Sequence, residues 1–261
     1  MKYCTKEYYV TNAIMDEDFR LSPAGIAGMF QDCFATYMAH YHYAAFDMRK
    51  EAKMWIISDF TFNMQTVQPF WGETIKVELW ISEQPAVKIH ADYRIWHKGT
   101  VVVSGDSTWA LLDIAKRTPL RANAILQGIE TADEMALGTH RHKQPVSADL
   151  KCKHTHVTNR SDADFNHHVT NMTYLYICLA ALPDDYLQSH CVNELSIKFK
   201  QESFIGEELE CSVYSTNEED LWNYDIVTAG ERLSCQATIR YADKPDGFDS
   251  IDLDNLAIRK R

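Results

Sequence analysis

Two short patterns recur in the same order in both halves of the chain, and no other feature of the sequence constrains the fold as tightly. Phe70-x-Gly72-Glu73 is matched by Phe204-x-Gly206-Glu207, and Tyr93-x-Ile95-x-x-x-Gly99 by Tyr224-x-Ile226-x-x-x-Gly230. Repetition of this kind marks a duplicated structural unit. The surroundings of the two copies share a plan. In the first half an extended segment, 6–14, leads to Ser22-Pro23, an N-cap followed by proline in the first helical turn. Apolar residues then recur at helical spacing through Ile26, Met29, Phe30, Cys33, Phe34, Tyr37, Met38 and Tyr41, so a helix is predicted over 24–49. Runs rich in β-branched and aromatic residues follow at 55–64, 73–82, 87–97 and 100–113, with Gly72 and Gly99 at turns between them.

The second half repeats this order. A strand at 154–159 precedes a polar loop, then a helix over 171–182 stopped by Pro183, then strands at 192–200, 208–215, 221–229 and 231–241. A helix buries its apolar stripe by packing on the hydrophobic face of a sheet. The expected class is therefore α+β: two tandem hotdog domains, each a long helix wrapped by a curved antiparallel sheet. The expected boundaries are 1–130, a linker at 131–151, and 152–261.

The net charge of −11 argues against nucleic acid or an anionic membrane as the main partner. No run approaches the about 18 uninterrupted apolar residues of a membrane span. Residues 1–10 are polar and mixed in charge, unlike a secretory signal, so a cytoplasmic, bacterial setting is expected. Seven scattered cysteines without a C-x-x-C pair suggest reduced, mostly buried thiols. His140 and His142, with His154 and His156, read as a solvated linker followed by a strand. No carboxylate or cysteine is expected to complete a compact ligand set with them, so no metal and no bound cofactor is expected.

The stretch 161–174 concentrates the chemistry. Asp164, Asn166 and His168 alternate just before an apolar helix, whose N-terminus carries partial positive charge suited to an oxyanion. A polar loop capping the helix through Asn171 would explain one or two such residues, but not all three.

This stretch resembles the D-x-N-x-H-V-N-N-x-x-Y signature of the plant and bacterial acyl-ACP thioesterases, with Thr170 in place of an asparagine. The run 195–203, LSIKFKQES, resembles that family's L-x-L-x-[YF]-[KR]-x-E-C segment and puts Glu202 on its catalytic glutamate. Trp109-Ala110-Leu111-Leu112-Asp113 with Lys116-Arg117 resembles the family's W-x-x-[ML]-[ND] strand and basic turn. The resemblance covers nearly the whole chain. It implies tandem hotdogs, hydrolysis of fatty acyl-ACP, and catalysis by Asp164, Asn166, His168 and Glu202. Many members carry cysteine where this chain has Ser203, so a cysteine nucleophile is not available there.

The expected mechanism is direct attack of water on the thioester. Glu202 or Asp164 takes the proton, His168 is paired with a carboxylate or polarises the water, and Asn166 orients the water or donates to the oxyanion. By the same resemblance the first domain holds the acyl chain, against Met29, Phe30, Phe34, Met38, Trp55 and Trp109. The acyl carrier protein, whose phosphopantetheine arm arrives with the substrate, would meet Lys116, Arg117, Arg121, Lys198 and Lys200. A monomer or homodimer is expected. The competing functions are acyl-CoA hydrolysis on the same fold and non-catalytic acyl-lipid binding. The second has no use for several buried ionisable groups.

Overall fold

The computed structural model describes residues 1–245. They form two compact units, Met1–His140 and Arg141–Lys244. The expected C-terminal end of the second domain, 246–261, lies outside the described residues.

In the first unit, strand β1 (Tyr3–Tyr9) precedes helix α1 (Pro23–His40) and a short helix α2 (Ala45–Lys50). Four long strands follow: β2 (Lys53–Met64), β3 (Thr74–Glu83), β4 (Lys88–His97) and β5 (Thr100–Asp113). A single turn of helix, α3 (Ala122–Ile125), comes next. The strands are antiparallel in the order β1-β3-β4-β5-β2. Ser22 caps α1 by accepting from the Gly25 amide, with Pro23 in the first turn. The helix lays Phe30 on Tyr93 of β4, ring centroids 4.1 Å apart, and Phe34 on Trp109 of β5 at 3.9 Å. Gly105 permits this approach, because a Cβ there would stand 2.7 Å from the Phe30 ring.

The second unit consists of β6 (Leu150–Val157), α4 (Asn171–Leu179), α5 (Asp184–Ser189), β7 (His190–Phe199), β8 (Glu208–Ser215), β9 (Leu221–Thr228) and β10 (Leu233–Asp243). Its strand order, β6-β8-β9-β10-β7, reproduces that of the first unit strand for strand. The repeated patterns are structural equivalents. Tyr93 and Tyr224 are both fully buried, as are Ile95 and Ile226. Glu73 and Glu207 each accept from the amide of the phenylalanine three residues before, at 2.8 and 2.9 Å. Gly72 and Gly206 hold the left-handed conformation these turns require, φ 82° and 89°.

Three expectations need correction. The helix predicted over 24–49 stops at His40. His42 takes φ 63°, its amide donates to the Ala39 carbonyl, and the Tyr43 amide donates to Met38. This is a Schellman turn with histidine in the place usually held by glycine, so the sequence carries no stop signal. The second helix ends at Leu179 rather than 182, with Ala180 as its C-cap and Pro183 disfavouring helical conformation at Leu182. The stretch 131–151 is not a free linker. The Ala132 amide donates to Ile81 and the Trp80 indole to the Glu134 carbonyl, while Asn223 donates to the Pro145 carbonyl. His140 is likewise not solvated: its side chain is 5% exposed and hydrogen-bonded to Asp92.

Candidate active site

The loop before α4 is shaped by one carboxylate. Asp164 Oδ1 accepts from the Asn166 amide at 2.7 Å and from the His168 amide at 3.4 Å, and Oδ2 accepts from Asn166 Nδ2 at 3.3 Å. The backbone closes the same turn, with the Asp164 amide donating to the His168 carbonyl and the His167 amide to the Asp164 carbonyl. His167 takes φ 63° at the apex. Asp164 is thereby committed to orienting Asn166 and the chain around it. All three of these bonds come from the loop's own donors.

Glu202 follows β7 and reaches the same histidine from the other side. Its Oε1 lies 3.3 Å from His168 Nδ1, with the two side chains 31% and 19% exposed, so water reaches both. Phe204 sets its ring edge-on to His168 at 5.4 Å. Arg232 lies over Phe204 at 5.9 Å and holds both oxygens of Glu207, at 2.9 and 2.8 Å. Phe204 thus flanks the imidazole, with Glu207 and Arg232 behind it. Sequence reading found the first two as part of a repeat but gave them no role, and nothing signalled Arg232. All four residues expected from the sequence therefore come together, Asp164, Asn166 and His168 through hydrogen bonds and Glu202 through its contact with the His168 ring.

Other polar groups of the chain have structural tasks. Ser203 is fully buried, with its hydroxyl 2.8 Å from that of Ser234 and its carbonyl accepting from Val169, so it is a packing residue and not a nucleophile. The helix cap is Thr170, which accepts from the Thr173 amide, and not Asn171. The asparagine-to-threonine difference at 170 is thus one N-capping residue exchanged for another. Burial pushes the Tyr174 phenol up to about 12, leaving it neutral near pH 7. The hydrogen bond to Cys178 and burial push the Cys211 thiol far up, and burial takes Cys33 up to about 12, so both thiols are protonated and unreactive.

The first unit carries a second copy of this loop, which sequence reading missed. Asp16 Oδ1 accepts from the amides of Asp18 and Arg20, both at 3.0 Å, as Asp164 does from Asn166 and His168. Phe19 takes φ 60°, as His167 does. The Leu21 amide donates to the Pro69 carbonyl and Ser22 caps α1, matching Val169 to Ser203 and Thr170 on α4. Arg20 bridges Phe70 as His168 bridges Phe204. Asp18, Arg20 and Gln68 therefore stand where Asn166, His168 and Glu202 stand in the second unit. The loop is duplicated, but its histidine and glutamate are not.

Of the residues expected to touch the acyl chain, Met29, Phe30, Phe34, Met38 and Trp109 are buried between α1 and its sheet. Trp55 is partly exposed, meets Phe34 edge-on at 5.3 Å and donates from its indole to the Tyr43 carbonyl. Lys116, Arg117 and Arg121 are exposed, on and just after the turn that follows β5. Lys200 is also exposed. Lys198 differs: it is half-buried and donates to the His142 carbonyl at 2.6 Å, which gives its ammonium a structural task.

Comparison with known proteins places the chain in a family. The sequence model of the acyl-ACP thioesterase N-terminal domain matches residues 2–127, and that of the C-terminal domain matches 144–243. A chloroplastic acyl-[acyl-carrier-protein] hydrolase of Cuphea viscosissima is 22% identical over 60% of this chain and 40% of its own length. A chloroplastic palmitoyl-acyl carrier protein thioesterase of Gossypium hirsutum is 23% identical over 76% of this chain and 49% of its own. The chain thus spans half or less of the length of these curated relatives. The fold is shared with an acyl-ACP thioesterase from Bacteroides thetaiotaomicron, at TM-score 0.83 and 16% identity over 92% of this chain and 98% of that one. It is also shared with the 12:0-ACP thioesterase from Umbellularia californica, at TM-score 0.78 and 15% identity over 94% and 98%. The two matched domains follow one another along almost the whole described chain, and the chain belongs to the acyl-ACP thioesterase family.

Proposed function

We propose that this chain hydrolyses fatty acyl-ACP to free fatty acid and acyl carrier protein, using the second unit. The observation that carries this reading is the 3.3 Å contact between His168 Nδ1 and Glu202 Oε1, beside an Asn166 held by Asp164. A carboxylate at Nδ1 favours the tautomer whose Nε2 carries the free lone pair and fixes the ring's orientation. Water attacks the thioester carbonyl carbon and gives its proton to His168 Nε2, while Glu202 stabilises the imidazolium through Nδ1. Asn166 and the positive end of α4 meet the developing oxyanion. As the C–S bond breaks, the imidazolium returns the proton to the phosphopantetheine sulfur. General base catalysis contributes roughly 10²–10⁴-fold. One oxyanion donor contributes about 10²–10³-fold, so neither a covalent intermediate nor a metal is needed at this site.

The acyl chain is assigned to the α1 side of the first unit, along Met29, Phe30, Phe34, Met38, Trp55 and Trp109. The carrier protein is assigned to the exposed Lys116, Arg117 and Arg121. No helix among the described residues is long and apolar enough to cross a membrane. A cytoplasmic, bacterial setting remains part of the proposal.

The test is hydrolysis of acyl-ACPs of graded length beside acyl-CoAs of equal length, with wild type, His168→Ala and Glu202→Gln. Faster turnover of acyl-ACP, with kcat reduced about 10²–10⁴-fold in either variant, is the expected result. Equal or better turnover of acyl-CoA would move the assignment to that substrate. Acyl binding without hydrolysis of any thioester by the wild type would make the chain a lipid binder.

A further inference from the structure

On the face of the first sheet turned away from α1 lies a second group of ionisable side chains. Tyr93 points to α1, so by strand alternation His90 and Asp92 point the other way. Glu83 of β3 and Thr108 of β5 both pair with His90 in register, from opposite sides. The segment after Thr131 crosses this face and delivers His140, whose ring stacks on that of His90 with centroids 4.3 Å apart and planes 3° from parallel. One ligand atom each from Glu83, His90 and His140 lies within 4.8 Å of the other two.

The outer nitrogens of both rings are already fixed. His140 Nε2 lies 2.9 Å from Asp92 Oδ2 and 3.1 Å from Ser82 Oγ, and His90 Nδ1 lies 3.1 Å from Thr108 Oγ1. Asp92 is fully buried and paired in register with the buried Asp106 across β4 and β5. A carboxylate behind a histidine, with the other ring nitrogen turned to a shared point, is the arrangement that orients a metal-binding imidazole. Glu83, half exposed, stands 3.7 Å from His140 Nδ1 and leaves a path to solvent.

We propose that Glu83 Oε, His90 Nε2 and His140 Nδ1 bind one divalent transition-metal ion of the zinc class, with water completing the coordination. Two imidazoles and a carboxylate suit such ions and suit magnesium or calcium poorly. Tetrahedral coordination at ~2.0–2.1 Å places ligand atoms roughly 3.3 Å apart. The group must therefore contract, and one ring must tilt out of the stack. His140 can do this because it sits on an irregular segment and not on a strand. The bound ion would tie that segment to β3 and β4.

The test uses the full chain freed of metal, titrated with Co²⁺ and read by visible absorption, then with Zn²⁺ and read by calorimetry and thermal melting. The wild type is expected to take up one Co²⁺ with the intense bands of a four- or five-coordinate site, and Zn²⁺ is expected to raise its Tm. His90→Ala and Glu83→Gln should abolish both responses, and Asp92→Asn should weaken binding about 10–100-fold. His154→Ala, on β6 of the other unit, should retain both responses. Melting without metal shows whether each variant folds, and Glu83→Gln at an exposed position keeps the test decisive if His90→Ala does not. Absence of Co²⁺ bands in the wild type at millimolar ion, or bands unchanged in folded Glu83→Gln or His90→Ala, would overturn the site.

Discussion

At the scale of single residues, the two carboxylates of the candidate site meet different partners, and substitution should separate their roles. Glu202 touches the imidazole, whereas Asp164 acts through the loop it shapes. Asp164→Ala is expected to lower kcat about 10²-fold by misplacing Asn166 and His168, with KM little changed. Asp164→Asn keeps an acceptor for the loop amides and should recover most of that loss, an outcome that steady-state kinetics on both variants reads directly. Equal losses in Asn and Ala would show that the charge itself reacts. Ser203 offers the opposite case. Ser203→Ala should leave kcat within a few-fold and remove only the buried bond to Ser234, about 1 kcal/mol, seen as a Tm lower by ~2–4 °C. Loss of hydrolysis in a folded Ser203→Ala protein would point to a serine nucleophile.

At the scale of elements, the Phe-x-Gly-Glu turn is a stabilising device used twice, and its first copy predicts a pH effect. Burial works against the Glu73 charge, but Lys98 at 2.5 Å, the Phe70 amide and His97 outweigh it and hold the carboxyl below its ordinary value. A carboxyl depressed in the folded state contributes stability above its unfolded pKa, and this is lost as pH falls through the folded value. Glu73→Gln should therefore lower Tm at pH 7, with the gap to wild type closing below about pH 4. A gap independent of pH would assign the effect to packing. Thr170→Ala should cost about 1 kcal/mol through the α4 cap, measured by denaturant unfolding.

These elements also show what the sequence could reveal. The strands were legible because their apolar runs are bounded by turn residues, and β5 and β8 fall on the predicted positions. The break after His40 was not legible, because the left-handed residue there is a histidine stabilised by backbone bonds alone. Asp164, Asn166 and His168 were legible as neighbours in one loop, and Glu202 by resemblance. The division of labour between Asp164 and Glu202 was not, because it depends on which donors each oxygen meets. The Glu83–His90–His140 group escaped notice because its members come from two strands and a distant segment.

At the scale of the whole molecule, charge should decide the choice of carrier. With a net charge of −11 on the chain, a negatively charged carrier of the proposed substrate would require a local basic surface, and Arg117 is exposed at the tip of its turn. Arg117→Glu is expected to raise KM for acyl-ACP several-fold while sparing a small thioester. Lys198→Glu should instead lower stability, since its ammonium serves the His142 carbonyl. Equal effects of Arg117→Glu on both substrates would count against docking there. The duplicated loop carries a different lesson. Its form is written in backbone amides, one aspartate and a capping hydroxyl, and none of these has to take part in a reaction. Shape and reactivity are therefore inherited through separate atoms of the same short stretch. A gene that doubles such a fold can let one copy fall chemically silent without unfolding it, and can keep the silent copy as architecture.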